Sequence, residues 1–415
     1  MASLVMVILG LVDGAFPQVQ MIATGGHVLI SPAVTKALLM FFLVIAVVWQ
    51  PRSIRLTGFA LAWVACMVYL ALDGVYLIFH FQTSVVDLIY TYNSYYFYFI
   101  VCPLAMFVAN EIDERRVLKL LYAVFLVCFL LGCAQYVTQK PIVYTQSAGE
   151  GFSVMSWQMG EELRVFSLFD AGFMYGLFCS LIGSLSLASL LGRQGERKIW
   201  PMIVFACAAI GCLSTLTRNA YLLFLFSCVT VVLLSKRRML RSIRYIPFLF
   251  LVGSILLTWR GSLSASASDS VTSNASLIMR LAQWIYYASL YSNAPLTEKI
   301  FGLGLAQSDK ASNDALFVID NQFLAILIHI GLIGLALVSL LQWLMWTRLY
   351  KRAIDVPSNF TIATAAFTST FLAIYFFNFA IFPYSLIFAL AMLVRPATSR
   401  QLARMKQPRH SLSAA

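Results

Sequence analysis

Three arginines stand where an apolar chain has few uses for a cation. Arg164 closes Glu161-Glu162-Leu163-Arg164, Arg218 sits in Ser214-Thr215-Leu216-Thr217-Arg218-Asn219, and Arg280 lies midway along an amphipathic stretch. A guanidinium near hydrocarbon is costly unless it meets an anion, and its planar fork matches phosphate oxygens. For any one of them, snorkelling to a lipid phosphate or a structural salt bridge explains the residue. Three on one side of a membrane point instead to a pyrophosphate-binding site. Asp320, followed by Asn321, offers a proton acceptor or orienting group beside them. Asp is also a favoured helix N-cap, so capping by Asp320 with Asn321 as neighbour competes with that role. Glu161, Glu162 and Asp170 are alternative bases or salt-bridge partners of Arg164. His27, His80, His329 and His410 are scattered, and the eight cysteines fall in apolar segments without a CxxC pair. No metal-ligand spacing results, so neither a metal nor a cofactor is expected.

The elements that must position these groups are set by composition. The 415 residues are 61% hydrophobic and 11% charged, with a mean hydropathy of +0.84, which excludes a water-soluble fold. Apolar segments long enough to cross hydrocarbon as helices recur along the chain, without the short alternation of an outer-membrane barrel. Spans are expected near residues 3–22, 32–50, 57–79, 88–109, 120–137, 168–191, 199–216, 219–235, 245–260, 319–346, 359–378 and 381–395. This is an all-α polytopic membrane protein of about twelve transmembrane helices in one integral domain over 1–415.

The net charge of +12 suggests nucleic acid until the charges are placed. Sixteen Lys and Arg in short loops, plus five from Arg395 to Arg409, make 21 of the 29 on one side. The positive-inside rule makes that side cytoplasmic, with both termini on it and a basic tail over 396–415. The basic excess is therefore a topology signal with a minor part in binding anionic lipid, and no nucleic-acid partner is expected. Two outer segments, 138–167 and 260–319, are far longer than the hairpins, and such excursions carry function. In the second, Leu277, Leu281, Trp284, Ile285 and Ala288 predict a helix with an aromatic face lying along or dipping into the interface. Tyr90, Tyr92, Tyr95, Tyr96 and Tyr98 read as an interfacial belt. Gly331-x-x-Gly334 reads as a small-residue face for close helix packing. Gly302 and Gly304 read as turn glycines that help shape an acceptor groove.

Taken in order, several of these landmarks resemble the O-antigen polymerase and ligase superfamily. They are Arg164-Val165-Phe166-Ser167 leading to Gly172 and Gly176, the Ser-Thr-Leu-Thr-Arg-Asn turn, Arg280 ahead of Trp284, and Phe301-Gly302-Leu303-Gly304. Asp320-Asn321, nine residues ahead of Gly331-Leu332-Ile333-Gly334, completes the set. The motifs cover 164–334, and the span layout with a large outer loop before the tenth span agrees over the full length.

The resemblance implies a GT-C-like membrane glycosyltransferase that needs neither metal nor nucleotide sugar. Its substrates would be a polyprenyl-pyrophosphate-linked oligosaccharide donor and acceptor on the outer face of the bacterial inner membrane. It implies Arg218 and Arg280 on the pyrophosphate, Asp320 as base, and Arg164, Asn321, Gly302 and Gly304 in substrate binding. A flippase and a chain-length regulator are the expected partners. The ligase pattern has a histidine where this chain has Asp320, which favours a polymerase over a ligase. His329 sits about 13 Å further along the helix and is not expected to replace that histidine; an inter-helix hydrogen bond is its expected role. A transporter would need charged or broken helices at mid-membrane and an internal repeat, and neither is legible.

Overall fold

The computed structural model describes residues 20, 23–24, 32–49, 58–92, 96–97, 114–140, 158–159, 162–169, 171–192, 198–236, 244–250, 252–253, 271–304, 321–355 and 357–370. In chain order its elements are α1 (Pro32–Trp49), α2 (Gly58–Phe81), α3 (Val85–Thr91), α4 (Glu114–Thr138), β1 (Gln158–Met159) and β2 (Glu162–Leu163). There follow α5 (Gly172–Leu191), α6 (Ile199–Ser214), α7 (Arg218–Lys236), α8 (Val271–Asn293), α9 (Leu296–Phe301), α10 (Gln322–Asp355) and α11 (Asn359–Ser369). Among the described residues, five helices are long and apolar enough to cross a membrane, within α2, α4, α5, α7 and α10. The protein is thus a mostly helical polytopic membrane protein. The expected span over 381–395, nearly all of 3–22, most of 88–109 and half of 245–260 lie outside the described residues, as does the tail over 396–415.

Local chemistry explains the helix ends. Ser84 accepts from the Asp87 N–H to cap α3. Ser358 and Thr361 form a reciprocal capping box at α11, and Pro32 takes the first position of α1, where a missing N–H costs nothing. α5 begins at Gly172, later than the predicted 168, because Leu163–Phe169 is pinned by its neighbours before the helix starts. α10 runs beyond the predicted 346 to Asp355.

The core centres on α5, which packs against α6, α7, α11 and α4. Hydrophobic burial does not join helices inside a bilayer, so close backbone approach must. Gly176 meets Ala220 and Gly183 meets the Phe224 ring, bringing α5 and α7 together. Ser180, Ser184 and Ser186 donate their hydroxyls to carbonyls four residues back, so they sit buried without needing a partner helix. α2 and α10 run antiparallel: Tyr69 meets Ile330, and Phe59, near the start of α2, lies under the Arg348 guanidinium at 5.1 Å.

One sequence expectation changes here. Tyr92 and Tyr96 form an edge-to-face pair turned inward, with Tyr96 buried, so these two are packing residues and not part of an interfacial belt. In α8 the inward face is Gln283 and Tyr287, while Ile285 is 70% exposed. The exposed Ile285 and Ala288 lie on the face expected to meet the interface, away from the core-facing Gln283 and Tyr287. Tyr287 packs on Ala325 and Ile328 of α10, and that contact sets its angle.

Candidate active site

The first assembly joins Arg164 to Arg218. Residues 163–169 have no helical ladder, so every backbone polar group there needs a partner from outside. α4 lends its side chains. The fully buried Gln135 donates from Nε2 to the Ser167 carbonyl at 3.0 Å. Its Oε1 accepts from the N–H groups of Phe166 at 3.3 Å and Ser167 at 2.7 Å. Gln139 Oε1 accepts from Leu163 N–H at 2.8 Å, one turn further on. Ser167 adopts φ +54°, and its hydroxyl donates to the Cys128 carbonyl at 2.6 Å. Local bonding compensates that left-handed backbone.

The strap so formed then meets the turn between α6 and α7. Val165 N–H donates to the Ser214 carbonyl at 3.2 Å. The turn carries its own ties: Thr215 Oγ1 donates to Cys212 O at 2.7 Å and Thr217 Oγ1 to Thr215 O at 2.9 Å. Ala220 and Tyr221 N–H groups close on Thr217 O at 3.0 and 3.2 Å, and Leu216 takes φ +49°. Gly172 is the spacer, since a Cβ there would lie 3.2 Å from both the Thr215 and Val165 carbonyls and 3.5 Å from Arg164 Cβ. Arg164 is half-buried in this arrangement, while Arg218 is exposed at the first position of α7. The partial positive charge of the α7 N-terminus adds to the guanidinium there, and both favour an anion.

The second assembly gathers Gly302, Gly304, Asn321 and the helix that carries Arg280. Asn321 is the N-cap of α10, its Oδ1 accepting from Leu324 N–H at 3.1 Å and its carbonyl from Ala325 N–H at 2.9 Å. That is the role expected of Asp320, and Asn fills it equally well. Asp320 lies outside the described residues, as do Glu161 and Asp170. Nine residues into α10 the ladder breaks, with Ile330 at φ −127° and Gly331 at φ +66°. The freed carbonyls are taken from outside the helix: Leu303 N–H donates to Ile328 O at 2.7 Å and Gly304 N–H to His329 O at 3.2 Å. Tyr69 donates to Ile330 O at 2.6 Å. His329 thus contributes its backbone carbonyl to an inter-segment bond, with its ring buried.

The glycines of this second assembly have a shared reason. Gly302 (φ +90°) lies against the His329 carbonyl and Gly331 against the Ile300 carbonyl, so a Cβ on either would collide with backbone. Gly304 (φ +72°) rests on Leu77 at 2.7 Å from its would-be Cβ. The turn-glycine expectation for Gly302 and Gly304 therefore agrees with the backbone. Gly331 allows the close approach of α9 expected of a small-residue face and in addition serves a helix break that was not expected, while the nearest atoms to Gly334 belong to Ile330 of its own helix. Arg280 belongs to α8, three residues ahead of the buried Gln283; its side chain lies outside the described residues. Near the other end of α8, Tyr291 donates to the Lys299 carbonyl at 2.9 Å, and burial raises its hydroxyl above the usual tyrosine range. His80 and Glu298 approach to 3.6 Å and link the end of α2 to α9.

Both assemblies abut one apolar core that includes Val165, Phe169, Ile330, Phe301 and Phe323. Gln135, Gln139 and Tyr69 were not singled out in the sequence. The available signal was a pair of glutamines one turn apart at the end of an apolar span, where an amide has no solvent to bond. Among the described residues no group of His, Cys, Asp and Glu is placed to hold a metal ion. The seven cysteines among the described residues are free.

Residues 203–339 match the Wzy_C family model, described as O-Antigen ligase. A search of the curated proteins returns no match. The matched segment contains Arg218, Arg280, Gly302, Gly304, Asp320 and Asn321, whereas Arg164 precedes it.

Proposed function

Residues 203–339 carry a domain of the O-antigen polymerase and ligase superfamily, and from that premise we propose that the chain is a bacterial surface-polysaccharide polymerase. It transfers a polyprenyl-pyrophosphate-linked glycan onto an incoming carrier-linked repeat unit. The observation that carries the reading is the docking of the Arg164 strap on the Arg218 turn, which concentrates cationic groups at a helix N-terminus.

The chemistry needs cations where charge develops. An acceptor hydroxyl attacks the anomeric carbon, a new C–O bond forms, and the bond to the carrier breaks with its electron pair leaving on pyrophosphate. Arg218 and Arg280 stabilise that leaving charge, and Arg164 holds a phosphate or sugar oxygen. Asp320 takes the hydroxyl proton. Capping of α10 by Asn321 supports this role, because the neighbouring carboxylate is not required as the cap. Gly302 and Gly304 hold residues 301–304 against α10, and in this reading they help shape the acceptor groove.

The chain works in the inner membrane with both termini cytoplasmic and its site facing the periplasm. Support comes from the basic loops and from Arg244 and Arg348, which rest on Trp343 and Phe59 toward the end of α10 away from Asn321. Donor and acceptor would be delivered by a flippase, and chain length set by a regulator. The second reading is a ligase joining finished polymer to a lipid acceptor, favoured by the description of the matched family; Asp320 in place of the ligase histidine favours the polymerase.

Polysaccharide profiling of a deletion strain tests both. Under the polymerase reading the strain loses long polymer while single repeat units still form, and Arg218→Ala, Arg280→Ala or Asp320→Ala fails to restore length at normal membrane abundance. Full-length polymer stranded on its carrier would identify a ligase. Normal polymer from all three variants would refute the assigned site.

A further inference from the structure

Asp73 is a fully buried carboxyl group in the second half of α2, and nothing in the proposed transfer uses it. Its Oδ2 lies 3.1 Å from the Tyr92 hydroxyl, and that hydroxyl lies 2.9 Å from the Leu70 carbonyl. Oδ1 is buried without a hydrogen-bond partner among the described residues. The groups that face Asp73 electrostatically are Tyr69 and Tyr76 from α2 and Tyr92 from the segment after α3. Tyr96 lies beyond Tyr92, and Glu298 of α9 lies beyond Tyr76. The close approach of His80 to Glu298 does not involve Asp73.

Counting hydrogens decides the state of the group. Tyr92 has one hydroxyl hydrogen and two oxygen neighbours. Were Asp73 ionised, its two oxygens would share at most that one hydrogen, with no cation beside them among the described residues. Burial of a charge so poorly satisfied is strongly unfavourable. Were Asp73 protonated, its own hydrogen would go to the Tyr92 oxygen, and Tyr92 would donate to Leu70. Both short contacts are then satisfied with every hydrogen placed.

We infer that Asp73 is held as a neutral carboxylic acid and acts as a positioning residue, donating its proton to Tyr92 and so fixing that segment on α2. The same helix carries the contacts that hold the second assembly. One turn before Asp73, Tyr69 donates to the Ile330 carbonyl freed by the helix break. Just after it, Tyr76 packs on Phe301 with ring centroids 5.2 Å apart. Asp73 therefore sits between two residues that dock Phe301–Gly304 against Gly331.

Infrared difference spectroscopy of the full chain in lipid nanodiscs at neutral pH tests the state directly. A protonated-carboxyl carbonyl band is expected in the parent and absent from Asp73→Asn. In cells, Asp73→Asn keeps a donor and restores polymer length. Asp73→Ala leaves the Tyr92 oxygen without its donor and lowers activity about tenfold. Resistance of the purified variants to heat and proteolysis follows the same order and does not depend on the glycan chemistry, so it reads the inference even if the polymerase reading fails. Absence of an Asp73-dependent band overturns the inference, as does an Asp73→Asn chain as damaged as Asp73→Ala at equal abundance. If Asp73→Ala does not reach the membrane, the band and the Asp73→Asn chain decide alone.

Discussion

Val165 donates its backbone N–H to the carbonyl of Ser214 across 3.2 Å, and this single bond joins the segment bearing Arg164 to the turn bearing Arg218. Neither partner is a site residue. Each stands next to the element that presents one, so the two cations are held by backbone geometry and do not depend on long flexible side chains finding one another. Preorganisation of this kind is what electrostatic stabilisation of a leaving pyrophosphate requires.

Gln135 holds that geometry, and Gln135→Ala should cost about 2–4 kcal/mol, since three buried backbone groups of the strap lose their partner. Thermal unfolding in detergent measures the loss. The functional part of the effect should disappear in an Arg164→Ala background, because both changes remove the same cation; full additivity of the two defects would contradict the coupling.

Under the proposed function the guanidinium fork of Arg218 matters beyond its charge. Arg218→Lys keeps the exposed cation at the start of α7 but cannot make two parallel bonds to phosphate, and about a tenfold loss in donor turnover is expected, with Arg218→Ala losing about a hundredfold. Titration of the donor against each purified variant gives the order. Equal activity of Arg and Lys would place only a general field at this position.

Gly331 and Gly334 separate a helix break from a packing face. Gly331→Ala forces a side chain into φ +66° and into the Ile300 carbonyl, and should cost about 1–3 kcal/mol or more. Gly334→Ala meets only the flexible Ile330 side chain, from 2.5 Å, so its cost should be smaller. Heat resistance of the two variants compares them. A reversed order would restore the small-residue face as the reason for the motif.

Under the proposed function Asn321 and Asp320 divide two roles. Asn321→Asp retains an N-cap and should leave stability within a few tenths of a kcal/mol, whereas Asn321→Ala should lose about 1 kcal/mol. Asp320→Asn should leave stability unchanged and abolish transfer. Measuring unfolding and transfer on the same preparations distinguishes the cap from the base; an Asp320→Asn chain that is unstable and still active would invert the assignment.

Much of the architecture was legible because membrane burial is a composition problem. The starts and ends of α2, α6 and α7 fall within two residues of where apolar length, basic flanks and turn residues put them. The arginine-bearing turn was legible for the same reason, as was the conformational need for glycine at 302 and 304. Hydrocarbon punishes charge, so a surviving cation stands out in the sequence alone.

What the chain alone could not reveal is which side chains would repair the irregular backbone. Gln135 resembles any polar residue near a span end until the strap it bonds is seen. Gly331 resembles a packing glycine until Leu303, Gly304 and Tyr69 are found on the carbonyls beside it. Periodicity predicted that α8 has an apolar face, yet which face turned inward depended on Tyr287 finding Ala325 and Ile328. The physical reason is common to all three. Spans are selected by the local free energy of transfer into lipid, which each segment carries by itself. The repair of unpaired backbone groups is a pairing between segments distant in sequence, and only the tertiary structure brings those partners together.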